Sequence, residues 1–272
     1  MVSLIIVNFN GKDLTTQCLS SIRQIPIEIS YEMVIVDNGS TDGSVEYLSL
    51  QFPSLKIISL KSNQGFGYAN NVGAKEASGE HFLFLNNDTT ITSDFITPLV
   101  RILENIPDAG IVGPKLLNND GSFQLSFGDF PSLMNEWKTR RLQLKHLIPK
   151  NVINDGNNLG VKVDWVSGAA LMIRRSLFEK IGGFDENFFM YFEDSDLCFR
   201  AKKAGFSIYW FSDACLIHHK GKSYTSENKK VSEEYRKSQL HYYKIHRSWC
   251  EKEILKLYLI IKHVLLFFRR NI

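Results

Sequence analysis

Over the first 90 residues, short runs of Val, Ile and Leu alternate with stretches whose apolar residues recur at helical spacing, and each run closes on a turn rich in Asn, Asp or Gly. This is the βαβ pattern of a parallel sheet, and continuously apolar runs predict strands covered on both faces. The pattern predicts strands over 3–8, 32–37, 55–60 and 81–85, with helices over 13–24, 43–51 and 66–77. A helix is expected over 91–110. Residues 111–164 are rich in Gly, Asn and Pro with weak periodicity, which predicts a partly irregular insertion. A second apolar run at 169–173 leads to a short helix and the loop Gly182-Gly183-Phe184-Asp185. A helix is then expected over 194–204, because Leu197, Cys198, Ala201 and Ala204 share one face and Gly205 stands where it ends.

In an open α/β sheet, ligands bind beyond the carboxyl ends of the strands, and the polar residues here gather at those ends. They are Asn8 and Asn10, Asp37 to Ser40, Asn63-Gln64-Gly65, and Asn86-Asn87-Asp88. Turn formation accounts for any one of these segments, whereas four of them converging on one crevice point to a binding site. Gly65-Phe66-Gly67 begins like a dinucleotide fingerprint but follows the third strand and has Asn70 where the third glycine belongs. Gly221-Lys222-Ser223 ends like a P-loop, yet Leu216 occupies the earlier glycine position. Both motifs fail. An acidic residue at the second strand end, Asp37, suits hydrogen bonds from a nucleobase or ribose, and Asp88 beside Asn86 suits a divalent ion that also holds a diphosphate.

Composition narrows the class. The chain of 272 residues is 44% hydrophobic and 22% charged, which excludes intrinsic disorder and a multispan membrane protein. Its four cysteines form no CxxC pair, so neither a zinc ribbon nor a disulfide framework is signalled, and the apolar run 4–7 is too short for a signal-peptide core. A cytoplasmic protein is expected. The net charge of +3 conceals an asymmetry, because residues 217–272 carry 13 Lys and Arg against 5 Asp and Glu. Within that basic end, 254–268 reads ILKLYLIIKHVLLFF, with apolar runs too short for a transmembrane helix. Residues 251–272 therefore predict an amphipathic helix lying in a membrane interface, the alternative being a helix packed on the body or on another subunit. So apolar a helix is a poor phosphate-binding surface, and nucleic acid is not an expected partner.

An ordered set of segments resembles the glycosyltransferase family 2 enzymes of GT-A fold, in particular the rhamnosyltransferase-like branch that builds bacterial surface polysaccharides. The resemblance covers roughly residues 2–223. Its segments include Val36-Asp37-Asn38-Gly39-Ser40, Asn63-Gln64-Gly65-Phe66-Gly67, Leu85-Asn86-Asn87-Asp88-Thr89, Gly168-Ala169-Ala170, Gly182-Gly183-Phe184-Asp185-Glu186, Tyr191-Phe192-Glu193-Asp194-Ser195-Asp196 and His218-His219-Lys220-Gly221-Lys222-Ser223. It implies a Rossmann-like, mostly parallel sheet flanked by helices over 1–223, divided into a nucleotide-binding half (1–90) and an acceptor half (91–223). A basic helical tail, 224–272, follows.

The resemblance further implies an inverting transfer of a sugar from a dTDP-linked donor such as dTDP-rhamnose, or from a UDP donor, to a lipid-linked glycan, with a polyprenyl-diphosphate acceptor at the inner face of the plasma membrane. Asp37 then binds the base. Asn8, Asn10, Asn63, Gly65, Asn86 and Asn87 line the nucleotide-sugar site, and Asp88 with His218 holds Mg²⁺ or Mn²⁺. His219 competes with His218, although alternation along a strand sends the two to opposite faces. Asp194 corresponds to the general base, with Glu193 and Asp196 as supporting residues and Asp196 pointing elsewhere. The plain alternative is that Glu193 and Asp194 only begin a helix, whose dipole is expected to keep Asp194 ionised. Trp165 and Gly168 are candidates to line the sugar, and one of the aromatics Phe188, Phe189, Tyr191 and Phe192 to border the acceptor. Two rival readings remain at this point, a non-catalytic sugar-nucleotide-binding scaffold and a sugar nucleotidyltransferase. The second lacks a Gly-rich basic loop after the first strand. The oligomeric state is not indicated.

Overall fold

The computed structural model describes residues 1–136, 138, 160–219 and 228–270. The first half follows the expected alternation: β1 (Val2–Asn8), α1 (Lys12–Gln24), β2 (Tyr31–Asp37), α2 (Ser44–Gln51), β3 (Lys56–Ser59), α3 (Phe66–Lys75) and β4 (His81–Asn86). Short β5 (Thr89–Thr90), α4 (Ile96–Asn105) and β6 (Ala109–Leu117) come next, then β7 (Phe123–Gln124), β8 (Phe127–Gly128), β9 (Val161–Val163) and β10 (Trp165–Val166). The chain continues through β11 (Ala170–Arg174), α5 (Arg175–Lys180), α6 (Glu193–Lys203), β12 (Ser207–His218), α7 (Asn228–His246) and α8 (Trp249–Arg270).

The main sheet has the order β3-β2-β1-β4-β11-β6-β12-β5, with β7 added to β6 and β9 to β12. Strands β1 to β4 run parallel, as does the β6–β12 pair, while β11 is antiparallel to both its neighbours. This is the mixed, mostly parallel α/β sheet that the pattern implies. One apolar layer joins β1 to α1 and α4 through Leu4, Ile6, Leu19 and Leu99, and the other face is covered through Ile5, Phe84, Phe178 and Phe184. In β1, Val2 and Leu4 to Ile6 are fully buried, which explains a strand that is apolar on both faces.

Two expectations are corrected. The helix predicted over 91–110 ends at Asn105, and the predicted insertion 111–164 begins inside a central strand, because β6 runs Ala109–Leu117 between β11 and β12. Gly113, which helped this stretch read as loop, and Gly110, at the end of the expected helix, both serve close packing. A Cβ on Gly113 would stand 2.7 Å from the Val166 side chain, and one on Gly110 would stand 2.5 Å from Leu177. Residues 139–159 of the insertion lie outside the described residues.

Within 224–272 the two helices differ in their surroundings. In α7 the aromatic side chains Tyr242 and Tyr243 are fully buried, in a cluster with Phe188, Phe192 and Leu255 of α8, so α7 belongs to the body. Beyond it, α8 keeps Leu255 inward and turns Ile254, Leu257 and Ile261 outward, each at least half exposed. Among the described residues, no helix is long and apolar enough to cross a membrane.

Candidate active site

Each predicted polar segment sits at a strand end, and the network starts at β1. Asn8, fully buried, donates from Nδ2 to Asp37 Oδ2 (2.7 Å) and to Ser40 Oγ (3.1 Å), while its Oδ1 accepts from Thr15 Oγ1 (2.7 Å) and Asn87 Nδ2 (3.3 Å). Asn87 Nδ2 also donates to Thr15 Oγ1 (2.9 Å), and Asp37 Oδ1 accepts the Ser40 N–H (2.9 Å). Asn10, in the left-handed region at φ 50°, donates its N–H to Ser40 Oγ and accepts the Thr41 N–H. The β1, β2 and β4 ends are thereby cross-linked by amides and hydroxyls around one buried carboxylate, Asp37, whose two oxygens both accept hydrogen bonds. Gly11 makes the fit possible, since a Cβ there would lie 2.5 Å from Asn87 Nδ2.

The Asn63-Gln64-Gly65 turn joins this network to the other half of the molecule. Asn38 Nδ2 donates to Asn63 Oδ1 (3.0 Å) and to the Gly65 carbonyl (3.2 Å), and Asn63 Oδ1 also accepts the Gly65 N–H. Gly65 takes φ 94°, and a Cβ there would lie 2.6 Å from the Phe189 carbonyl oxygen, so only glycine permits the approach. The next amide, on Phe66, donates to that carbonyl at 2.8 Å.

At the end of β4, Asp88 Oδ1 lies 3.1 Å from His218 Nε2, and Asn86 Nδ2 stands 3.2 Å from the same nitrogen. His219 turns to Thr90 and Asn119, so the two histidines face apart as alternation requires. His218 Nδ1 meets Gln124 Oε1 at 2.6 Å, and Gln124 Nε2 is committed to Asn118 Oδ1 and the His218 carbonyl. Gln124 Oε1 therefore accepts the Nδ1–H and turns the ring so that Nε2 faces Asn86 and Asp88, the outer-shell arrangement that orients metal-binding histidines. The separation matches the roughly 3 Å between neighbouring ligands placed about 2.1 Å from an octahedral ion. Among the described residues no group of three or more His, Cys, Asp or Glu could hold a metal ion, so an ion held by Asp88 and His218 would need further ligands, a role that phosphate oxygens and water suit. Residues 220–223, which complete the His218 motif, lie outside the described residues.

The acidic pair Glu193–Asp194 opens α6, immediately after two consecutive non-glycine residues in the left-handed region, Tyr191 (φ 70°) and Phe192 (φ 67°). Such residues cost of order 1–3 kcal/mol each and persist where the surroundings over-determine them. Asp194 Oδ2 accepts the Gly168 N–H (3.0 Å) and Oδ1 the Ser195 N–H (2.7 Å). The Gly168–Ala169 turn also reaches β4, since the Ala169 carbonyl accepts the Asn86 N–H at 2.9 Å. Two adjacent residues thus tie the Asp194 carboxylate to the head of the Asn86-Asn87-Asp88 turn.

The helix dipole expected to favour the Asp194 carboxylate is opposed by its surroundings. Burial raises its pKa above the ordinary aspartate value and outweighs the hydrogen bonds from Gly168 and Ser195 that pull it down. Glu193 goes further, with burial as the main cause and Asp194 the next, and its Oε2 has no hydrogen-bond partner among the described residues. Asp196 points away, into an ion pair with Arg200 (2.6 Å) and a contact with His246 (2.7 Å). Trp165 lies in the β10–β8 ladder with its indole N–H on the Asp129 carbonyl, so Gly168 and not Trp165 meets Asp194. Of the aromatic run, Phe188 and Phe192 are core, while Tyr191 is exposed. Sequence reading passed over Thr15 and Gln124. Thr15 follows Asn8 by seven residues, in the first turn of α1, whereas Gln124 is separated from His218 by 94 residues with no spacing signal.

The sequence matches the Glycosyl transferase family 2 over residues 3–182 and the N-terminal domain of galactosyltransferase over 156–225. The chain belongs to glycosyl transferase family 2. Within the family it is 30% identical over 230 residues to the N-acetylglucosaminyl-diphospho-decaprenol L-rhamnosyltransferase of Mycobacterium tuberculosis, covering 75% of this chain and 70% of that protein. It is 27% identical over 241 residues to the Escherichia coli rhamnosyltransferase WbbL, covering 84% and 88%. The structure of GalNAc-T7 with UDP, GalNAc and Mn²⁺ superposes with a TM-score of 0.63 at 16% identity, over 80% of this chain and 44% of that one. That likeness establishes the GT-A fold. The protein is thus a rhamnosyltransferase-like family 2 glycosyltransferase with a role in polysaccharide synthesis.

Proposed function

We propose that this family 2 glycosyltransferase moves L-rhamnose from dTDP-rhamnose, with inversion, to a hydroxyl of a glycan carried on a polyprenyl diphosphate. The observation that carries the reading is the Gly168–Ala169 bridge, which sets the Asp194 carboxylate beside the turn bearing the Asp88–His218 pair. A displacement at an anomeric carbon needs those two functions, a base for the incoming hydroxyl and stabilisation of the departing diphosphate. The kinship with the two rhamnosyltransferases supports the sugar, and the decaprenol-linked acceptor named for the mycobacterial relative supports the lipid carrier.

In this reading Asp194 takes the acceptor hydroxyl proton as that oxygen bonds to the anomeric carbon and the bond to the diphosphate breaks, releasing dTDP. Its raised pKa makes it a stronger base than an exposed aspartate, at the cost of a higher threshold for deprotonation. Gly168 and Ser195 fix the carboxylate by their amides. Asp37 and Asn8 organise the base and ribose end, each Asp37 oxygen retaining capacity for a further hydrogen bond. Asp88 and His218 would hold the divalent ion, and the imidazole favours Mn²⁺ over the all-oxygen preference of Mg²⁺. Bound there, such an ion would act as a Lewis acid on the developing charge of the diphosphate.

The outward face of α8, with Ile254, Leu257 and Ile261 exposed beside Lys256, is proposed to seat on an anionic membrane at the cytoplasmic side, where a lipid-linked acceptor resides. Retention on anionic vesicles after deletion of 251–272 would refute that placement.

The experiment is a thermal-shift panel of dTDP, UDP, GDP, CDP and ADP, each with and without Mn²⁺ or Mg²⁺. Ligand at about 100 times its dissociation constant adds roughly 2.7 kcal/mol of stability. Selective stabilisation by dTDP that requires the ion is the expected result. Preference for a purine nucleotide, or silence across the panel, overturns the donor.

A further inference from the structure

We infer that α7 is the clamp that positions the Asp194 carboxylate, and that His246 is its principal positioning residue. The inference rests on the reading of Asp194 as the base, and it concerns residues 228–246, which lie beyond both family matches. Three contacts define the clamp. Ahead of the left-handed pair, Ser238 Oγ donates to the Met190 carbonyl at 2.7 Å. At the pair itself, the Phe192 ring packs on Tyr235 and Tyr242, with centroids 5.2 and 5.6 Å away. After it, His246 Nε2 donates to Asp196 Oδ1 at 2.7 Å, with the Asp196 and His246 side chains only 1% and 7% exposed.

The geometry explains why this matters to a residue that α7 does not touch. Asp194 and Asp196 share the first turn of α6, and Asp196 is gripped on both oxygens, by His246 on Oδ1 and by Arg200 on Oδ2. Arg200 is in turn fixed to the Ile181 carbonyl. With Asp196 held, α6 cannot rotate about its axis, and the direction of Asp194 toward the Gly168 N–H is set. Without the clamp, Tyr191 and Phe192 are free to relax toward ordinary backbone, and relaxation there swings the start of α6. The His246 ring is itself immobilised between Phe199 and Tyr242, with centroids 4.2 and 4.9 Å away. Its Nδ1 is buried with no partner among the described residues, so the hydrogen bonding of the ring is committed to Asp196.

The test compares His246→Ala, His246→Gln and Ser238→Ala in the full chain by two readouts. The first is hydrogen exchange of residues 190–198 against 31–42, which needs no substrate. His246→Ala should speed exchange in 190–198 and leave 31–42 unchanged, and His246→Gln, whose amide N–H can reach Asp196, should restore protection. The second is turnover of dTDP-rhamnose on polyprenyl-diphosphate N-acetylglucosamine. A displacement of the order of 1 Å costs about 10²-fold, so kcat should fall by up to that factor while dTDP affinity holds. Ser238→Ala should give the same pattern more weakly, and it serves if the His246→Ala chain does not fold. Unaltered exchange over 190–198 in a folded His246→Ala or Ser238→Ala chain overturns the clamp. Asp194→Asn separates the two levels, because retained turnover there refutes the base itself, whereas lost turnover there with wild-type kcat in His246→Ala refutes only the positioning.

Discussion

At the carboxyl ends of β1, β2 and β4, Asn8, Thr15, Asn87, Ser40 and Asp37 satisfy one another in a closed set of hydrogen bonds. At the start of α6, Glu193 is buried and Asp194 beside it is partly buried, and no cation answers either of them among the described residues. The first region buries one carboxylate, Asp37, among amides and hydroxyls, and each of its oxygens accepts a hydrogen bond, from Asn8 and from the Ser40 N–H. The second buries carboxyls whose charged forms are disfavoured by desolvation, so their pKa values rise and the backbone leading into them is held in an unfavourable conformation. A preformed cradle suits a nucleotide that binds and leaves unchanged. A raised carboxyl suits a group that must gain and lose a proton.

The sharpest way to break this contrast is Asp194→Asn. Loss of a general base costs typically 10²- to 10⁴-fold in rate, and kcat should fall by that order while dTDP affinity, which belongs to the other region, does not change. In the wild type the acid limb of the kcat profile should lie above the ordinary aspartate value of 3.8, because turnover requires the deprotonated form and burial raises the threshold. An acid limb at or below that value would show that the hydrogen bonds from Gly168 and Ser195 win over burial.

A smaller effect is expected between the two regions, at the Asp88–His218 pair. Asp88→Ala should abolish the Mn²⁺ dependence of dTDP binding, read by calorimetry. Gln124→Leu, which removes the group that orients His218, should weaken Mn²⁺ binding by about 10- to 100-fold. If Gln124→Leu leaves the Mn²⁺ dependence intact, His218 is held by something other than its outer partner and the proposed ligand pair loses its support.

The same division governs what could be read from the chain. The first half was legible because most of its contacts join one strand end to a neighbouring strand end, and the Asn, Asp and Gly turns stand next to apolar runs whose period is plain. Asp37, Asn8 and Asn87 could be placed without knowing the sheet order. The acceptor half was legible only in its motif. Gly113 and Pro114 disguised β6 as loop, and what Gly110 and Gly113 accommodate, Leu177 and Val166, lies far along the chain. Gln124 and His246 each reach their partners across at least 50 residues, so no local spacing announces them. The rise in the Asp194 pKa was hidden for a related reason, since the helix start is visible in the sequence and the surroundings that desolvate the carboxyl are not.

The subtlest prediction concerns Glu193. Its folded-state pKa stands well above 4.5, with burial as the first cause. At pH values between 4.5 and that raised value, the folded chain keeps a proton that the unfolded chain has released, so stability is greatest at low pH and declines as pH rises through the window. Glu193→Gln, close in shape to the protonated acid, has no proton to lose and escapes the decline. The variant should therefore melt at the same temperature as the wild type near pH 4 and at a higher temperature at pH 8, with each kcal/mol of relief worth roughly 2–4 °C in a chain of this size. A variant that melts lower at pH 8 would mean that the Glu193 carboxylate is stabilised by its surroundings, and the two regions would then bury their acids by the same means.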